Sequence, residues 1–268
     1  MQQSFYHLPE TSLKHIVKTF WQVERINEMP VKETIMPTGH VEIIFNLHAE
    51  PILSQVGSML YRLPRCFING YNTRCIDQRL PDCQTFFGVV LHATAAKSLF
   101  KITAADFADC CTDMMSVDST IASLWHQLIE QPTFTERVKT VSDVFTKRLI
   151  RIDTREQAFD QFINSFEQST WSVSRVADLL CYSPRQLSRK LRALTGLNTE
   201  ETLVYKRYLH ALDLIHHSPL SLTQIAYTCR FADQSHFNKT FKLFTGITPG
   251  EYRSRKNSHV GHLFEYVR

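Results

Sequence analysis

An α+β fold is what this sequence predicts: a β-barrel carrying a helical hairpin, followed by an all-α part. Three observations carry that reading. Residues 1–115 hold short apolar stretches separated by Pro, Gly, Asn and Asp at intervals of roughly 10 residues, the rhythm of a barrel or sandwich. Residues 119–149 carry two apolar stripes of helical period. The C-terminal part holds one pattern twice: RQLSRKLRALTG at 185–196 and SHFNKTFKLFTG at 235–246.

A candidate helix over 13–22 opens the chain. The clearest strand is 40–48, entered through Pro37, Thr38 and Gly39. Val41, Ile43, Phe45 and Leu47 fall on one face, and His40, Glu42, Ile44, Asn46 and His48 on the other, so it reads as half-buried. Further strands are expected at 52–56, 66–71, 74–80 and 86–92. In 119–131, Ile121, Leu124, Trp125 and Leu128 share a face, and Pro132 ends the helix. In 133–149, Val138, Val141, Phe145 and Leu149 do the same. Their tight connection makes these helices antiparallel neighbours. They either cover the open side of the barrel or offer a surface to a second copy in a homodimer. The junction at 151–154 divides the chain into 1–151 and 152–268. There Asp153 suits the N-cap of a helix carrying Ala158, Phe159, Phe162, Ile163 and Phe166.

Ser172 caps a short helix over 173–180, in which Ala177 is small where a second helix must cross. Cys181 and Tyr182 make the turn, and Ser183 and Pro184 supply an N-cap and a first-position proline. In the helix that follows, Leu187, Leu191 and Leu194 face inward. Arg185, Ser188, Arg189 and Arg192 share the opposite face, and Gly196 provides a left-handed stop. The second unit repeats the grammar. Leu222, Ile225 and Ala226 line its short helix and Asp233 takes the capping place. Phe237, Phe241 and Phe244 form the inner edge, Gln234, Ser235, Asn238, Lys239 and Lys242 the outer one, and Gly246 the stop. Between the units, 200–217 reads as a helical spacer ~24 Å long.

Two matched basic edges, each behind a short helix, are what a protein needs to enter the DNA major groove at two successive turns, ~34 Å apart. Arginine can bond O6 and N7 of guanine, and asparagine or glutamine N6 and N7 of adenine. Lysines and helix starts suit phosphates. The charge is placed accordingly: 165–268 holds 14 Lys+Arg against 8 Asp+Glu, and 1–164 holds 16 against 18. One basic stripe alone would be an ordinary solvated helix face; two in register argue for DNA.

Over about 153–253 the chain resembles the AraC/XylS-type transcription regulators. The strongest stretch is Ile225-Ala226, FADQSHFNKTFKLFTGITP at 231–249, and Tyr252-Arg253. Ser183-Pro184-Arg185, Leu187-Ser188-Arg189, Thr195-Gly196, Arg207 and Ala211 match as well. The resemblance implies two helix-turn-helix units on one rigid domain, joined by a linker helix, with promoter DNA and RNA polymerase as partners. It also implies base reading by Arg185, Ser188 and Arg189, and by Gln234, Ser235, Asn238 and Lys239. Some positions depart. Cys181 and Arg230 stand where a turn glycine is usual, and if their φ is positive each costs up to ~1 kcal/mol. A phosphate contact by Arg230 would offset that. Thr199 replaces the usual proline and Thr202 the usual linker tyrosine, so weaker binding is expected of the first unit. More distantly, PTGHVEIIF at 37–45 is similar to a small-barrel, cupin-like sensor domain found ahead of some such regulators.

Composition bounds the rest. The 268 residues are 43% hydrophobic and 21% charged, enough for two cores and not a disordered chain. No run of about 18 apolar residues and no secretory leader is seen, so a cytoplasmic chain without membrane contact is expected. The cysteines at 66, 75, 83, 110, 111, 181 and 229 form no C-x-x-C pair and read as buried thiols. The first part has three readings. It could hold a small-molecule effector in a barrel cavity. It could hold a metal through His40, Glu42, His48 or His92, although His40 and His48 lie roughly 26 Å apart along a strand. It could sense redox state at Cys110 and Cys111, where Asp109 and Asp113 disfavour a thiolate. A different class, a cupin-like enzyme whose C-terminal half docks protein, lacks G-x-S-x-G, a phosphate-binding glycine loop and H-E-x-x-H. The expectation is a regulator without catalytic residues, metal or cofactor, controlled by an effector the residues do not identify.

Overall fold

A computed structural model describes residues 2–9, 12–26, 28–48, 52–148, 154–166 and 171–266. The first part builds β1 (Gln2–Tyr6), β2 (Val17–Arg25), β3 (Val31–Ile35), β4 (Val41–Asn46), β5 (Leu53–Val56), β6 (Met59–Arg62), β7 (Cys66–Asn69), β8 (Ile76–Leu80) and β9 (Gln84–Leu91). Helix α1 (Ala95–Phe100), strand β10 (Thr112–Asp113) and helices α2 (Met114–Val117), α3 (Thr120–Glu130) and α4 (Phe134–Arg148) follow. The second part runs α5 (Thr154–Asn164), α6 (Val173–Leu179), α7 (Pro184–Thr195), α8 (Thr199–His217), α9 (Leu222–Thr228), α10 (Gln234–Thr245) and α11 (Pro249–Arg255). It ends in a strand, β11 (His262–Tyr266).

The first part is β-rich as expected, but its strands do not close into one ring. They form two antiparallel sheets, ordered β1-β2-β9-β4-β7-β10 and β11-β3-β8-β5-β6. Between the sheets Ile44, Phe67 and Phe86 meet Val31 and Leu80. On the other side of the larger sheet, Phe20, Ile43, Phe45 and Phe87 pack under Leu124, Leu128, Val141 and Phe145 of α3 and α4. Strand β4 is therefore largely covered on both faces, not half-buried, with Ile44 and Asn46 buried opposite Phe45 and Glu42 half-buried. The hairpin's apolar stripes face the sheet, which is the covering role. Arg137 seats it: the buried guanidinium donates to the Leu128 carbonyl (3.1 Å), the Gln131 carbonyl (2.9 Å) and Gln22 Oε1 (2.7 Å).

One expected element is corrected. Residues 13–22 are not a helix: Ser12–His15 makes a single 3-10 turn and β2 begins at Val17. Val17, Thr19, Phe20 and Trp21 are β-branched or aromatic and pair along β9, so sheet formation overrides the weak helical spacing.

The junction expected at 151–154, with Asp153 as cap, begins outside the described residues, which resume at 154. Beyond it, α5 is held from both sides. Asp160 accepts from the Thr94 hydroxyl (2.5 Å) and amide (3.2 Å) in the first part. Lys206 of α8 donates to the carbonyls of Phe162, Ile163 and Ser165 at the end of α5, a cationic C-cap. One apolar core runs through both parts, from Phe87 to Phe241.

Candidate nucleic-acid interface

Each half of the repeat builds the same object. In the first, Ser172 accepts from the Arg175 amide to start α6. The Tyr182 amide returns to the Ala177 carbonyl (3.0 Å), and Ser183 and Gln186 form a capping box on α7. In the second, the Phe231 amide returns to the Ala226 carbonyl (2.9 Å), and Asp233 accepts from the His236 amide (2.7 Å) to start α10. The stops also match: Thr195 and Thr245 each bond back to the carbonyl four residues earlier, and Gly196 and Gly246 follow at φ +80° and +73°.

Leu187, Leu191 and Leu194, and Phe237, Phe241 and Phe244, are buried. That packing leaves Arg185, Arg189 and Arg192 exposed on α7, with Ser188 half-buried between them. On α10, Gln234, Ser235, Lys239 and Lys242 are exposed and Asn238 is half-buried. Gln234 is oriented by the Thr223 hydroxyl, which donates to its Oε1 at 3.1 Å. Both turns take the strained form: Cys181 has φ +55° and Arg230 +56°, each exposed. Lys190, also on α7, is turned away from the reading face to Glu156 of α5, 3.3 Å away.

Residues 176–255 match the family model of a helix-turn-helix domain. The HTH-type transcriptional activator RhaR of Salmonella dublin is 34% identical over 108 residues, 39% of this chain and 38% of that protein. This C-terminal region is an AraC-type helix-turn-helix domain. The chain thus aligns with under two fifths of that relative. Residues 6–113 match a domain of unknown function (DUF6597). Among solved structures, ToxT from Vibrio cholerae O395 is 14% identical, covering 88% of this chain and 97% of its own, with a TM-score of 0.48. A DNA-binding transcriptional dual regulator from Escherichia coli K-12 is 28% identical over 40% of this chain and 95% of its own, with a TM-score of 0.33.

The AraC-type domain is seated on the β sandwich through α8 and the far ends of both recognition helices. Tyr205 donates to the Asn72 carbonyl and Tyr208 to the Pro37 carbonyl, both at 2.9 Å. Gly39, at φ +69°, lets Leu209 come so close that a Cβ would stand 2.4 Å from Leu209 Cδ1. The Cys75 thiol donates to the Thr245 carbonyl at the end of α10 (3.2 Å). A Cβ on Gly196, at the end of α7, would touch Ala108 at 3.2 Å. Sequence periodicity carried no signal for these contacts, because each joins residues far apart in the chain.

Beside this seat lies a group of ionisable side chains around Lys18. Burial, with the charge of Lys18 adding, holds the His40 imidazole down at about 3. Burial pushes the Glu42 carboxyl up to about 7, against the pull of His262 and Lys18. Burial lowers the Lys18 ammonium to about 8, opposed by Asp160 and Glu42, and Lys18 donates to Asn164 Oδ1 (2.6 Å). His92 is lowered to about 4 by burial and by Lys18. His40, Glu42 and His92 each feel the charge of Lys18, but among the described residues no three His, Cys, Asp or Glu groups gather as a metal requires. Cys111 carries no thiolate at neutral pH: burial raises it to about 11, and it donates to Asn69 Oδ1 (2.9 Å). No helix among the described residues is long and apolar enough to cross a membrane.

Proposed function

We propose that the protein regulates transcription by binding promoter DNA through both exposed recognition faces, under the control of a small molecule held in a recess among His40, Glu42, Lys18 and His92. The observation that carries the DNA reading is the pair of outward basic edges. Leu187, Leu191 and Leu194 of α7 and Phe237, Phe241 and Phe244 of α10 are spent on the core, and Arg185, Arg189, Arg192, Gln234, Lys239 and Lys242 are left exposed, with Asn238 half-buried among them. Arg185, Ser188 and Arg189 read bases in one groove segment; Gln234, Ser235, Asn238 and Lys239 read the next. Arg192, Lys242 and Arg230 suit phosphates. RNA polymerase is the partner that a promoter-bound regulator of this type addresses. The recess favours an effector with hydrogen-bonding groups, since His40, Glu42, Lys18 and His92 line it. The two domains of the proposal are 1–151 for sensing and 152–268 for DNA.

The test is titration of a selected duplex at fixed salt. Arg185→Ala or Arg189→Ala should weaken binding by ~1–3 kcal/mol each and relax preference at one or two base pairs. Unchanged affinity and unchanged preference in both variants would refute the reading. Native mass spectrometry of the purified chain checks the effector: a small molecule retained by wild type and lost on Glu42→Ala places it in the recess, while retention by both places it elsewhere.

A further inference from the structure

Strand β11 belongs to the DNA-binding half by sequence and to the sensor half by hydrogen bonding. It pairs antiparallel with β3 over five residues, from His262 opposite Ile35 to Tyr266 opposite Val31. The residues ahead of it are fastened to the AraC-type domain. Lys256 donates to the Ile215 and His216 carbonyls at the end of α8 (2.9 and 2.7 Å), and the Gly261 amide donates to Tyr252 Oη (3.0 Å). The strand's own grip on the sensor is thin. Leu263 is its buried apolar side chain, whereas Tyr266 is 72% exposed. Its polar anchor is His262, whose Nδ1 lies 2.6 Å from Glu33 Oε1, with Gln78 donating to the other oxygen of Glu33.

We propose that β11 is a releasable strap: it ties the second helix-turn-helix unit to the sensor sheet, and it withdraws when both units seat on DNA. This rests on the DNA-binding reading above. The helical half is otherwise held by an apolar seam and by side-chain contacts, among them those at Cys75, Ala108, Gly39, Asn72 and Pro37, and the strap adds a backbone ladder across the same junction. Seating two rigid heads in adjacent grooves requires them to adjust to the duplex, and a restraint fixed at the sensor opposes that adjustment. The element that yields is an edge strand that buries a single apolar side chain, Leu263.

Lys32 and Glu265 lie directly opposite in the ladder, so Lys32→Cys with Glu265→Cys places two thiols at a spacing a disulfide can span. The probe is a duplex selected from a random library by the reduced variant, and oxidised wild type controls for the native cysteines. Closing the disulfide should weaken binding on the order of tenfold or more, and reductant should restore it. Equal affinity in the two states, or tighter binding when closed, would overturn the strap. A chain ending at Asn257 gives an independent reading. It should bind the duplex at least as tightly as wild type, and weaker binding counts against release. If wild type selects no duplex at all, it is the DNA-binding reading that falls, and the strap's role with it.

Discussion

Gly39 sets how closely α8 approaches the β-rich part, and Gly39→Ala measures what that approach is worth. Two costs add. The backbone at φ +69° is left-handed, which a residue with a Cβ occupies at ~1 kcal/mol. The new Cβ would also stand 2.4 Å from Leu209 Cδ1 and 3.4 Å from Tyr205 Cε1. Relieving that collision means shifting Leu209 or lifting α8 from the loop, ~1–3 kcal/mol by comparison with other overpacked sites. The sum, ~2–4 kcal/mol, corresponds to a fall in Tm of roughly 5–15 °C for a chain of this size. Calorimetry or denaturant titration reads it. Leu209→Ala separates the costs, because it removes the colliding methyl and leaves the backbone strain. The double variant should recover ~1–3 kcal/mol relative to the sum of the singles. A Gly39→Ala chain that melts with wild type, or a cycle that is merely additive, would show that this contact does not seat α8.

Three other substitutions test local readings. Cys181→Gly relieves the strained turn at φ +55° and, net of the added freedom of the unfolded chain, should stabilise by up to ~0.5 kcal/mol; a lower Tm would contradict that. Thr199→Pro should also stabilise, by ~0.5–1 kcal/mol. Residue 199 is the first of α8, Asn198 before it is extended, and the buried Thr199 hydroxyl has no partner; loss of stability would mean the ring does not fit. The third concerns pH. Burial acts to lower His262, but the bond to and charge of Glu33 outweigh it, with Glu42 adding, so His262 is raised above 6.5. Burial acts to raise Glu33, and His262, Gln78 and Arg25 hold it below 4.5. The neighbouring His259 is also a charged form's opponent, held down by burial and by His262. The His262 contribution is thus complete below 6.5 and lost as pH rises through its raised folded value. Denaturant titrations of wild type and His262→Ala should differ more at about pH 6 than at about pH 9; an equal or larger gap at the alkaline end refutes the pairing.

What could be read from the sequence was local. The repeat, its caps and its stops were legible because Ser183-Pro184, Asp233, Gly196 and Gly246 act within one turn of the chain, and the leucine and phenylalanine edges are fixed by helical period. The residues on the outer edge followed from the same period. The strand at 41–46 was legible as well, but not that both its faces are covered, since Ile44 and Asn46 meet a second sheet whose strands come from elsewhere. β11 was not legible: HLFEY is a short stretch after a DNA-binding domain, and its partner β3 lies 229 residues away. Nor was the C-cap by Lys206, because a lysine on a linker helix looks like a solvated charge until α5 is placed beside it.

The apolar seam between the two halves has ionisable groups set beside it. An all-apolar seam across Pro37, Gly39, Asn72 and α8 would be stronger and harder to open. Instead the seam carries buried ionisable groups: Lys206 lowered to about 7 and Lys18 to about 8, each chiefly by burial, beside Glu42 raised to about 7. Removing such charges from water costs more than their pairing returns unless the geometry is good. Lys206 meets that condition with three carbonyls at the end of α5, and Glu156 on the same helix holds Lys190 of the first recognition helix. A displacement that draws Lys18 from Asn164 therefore acts on the end of the helix whose start is tied to α7. These two contacts link β2 to α7 through α5, separately from the pairing of β11 with β3.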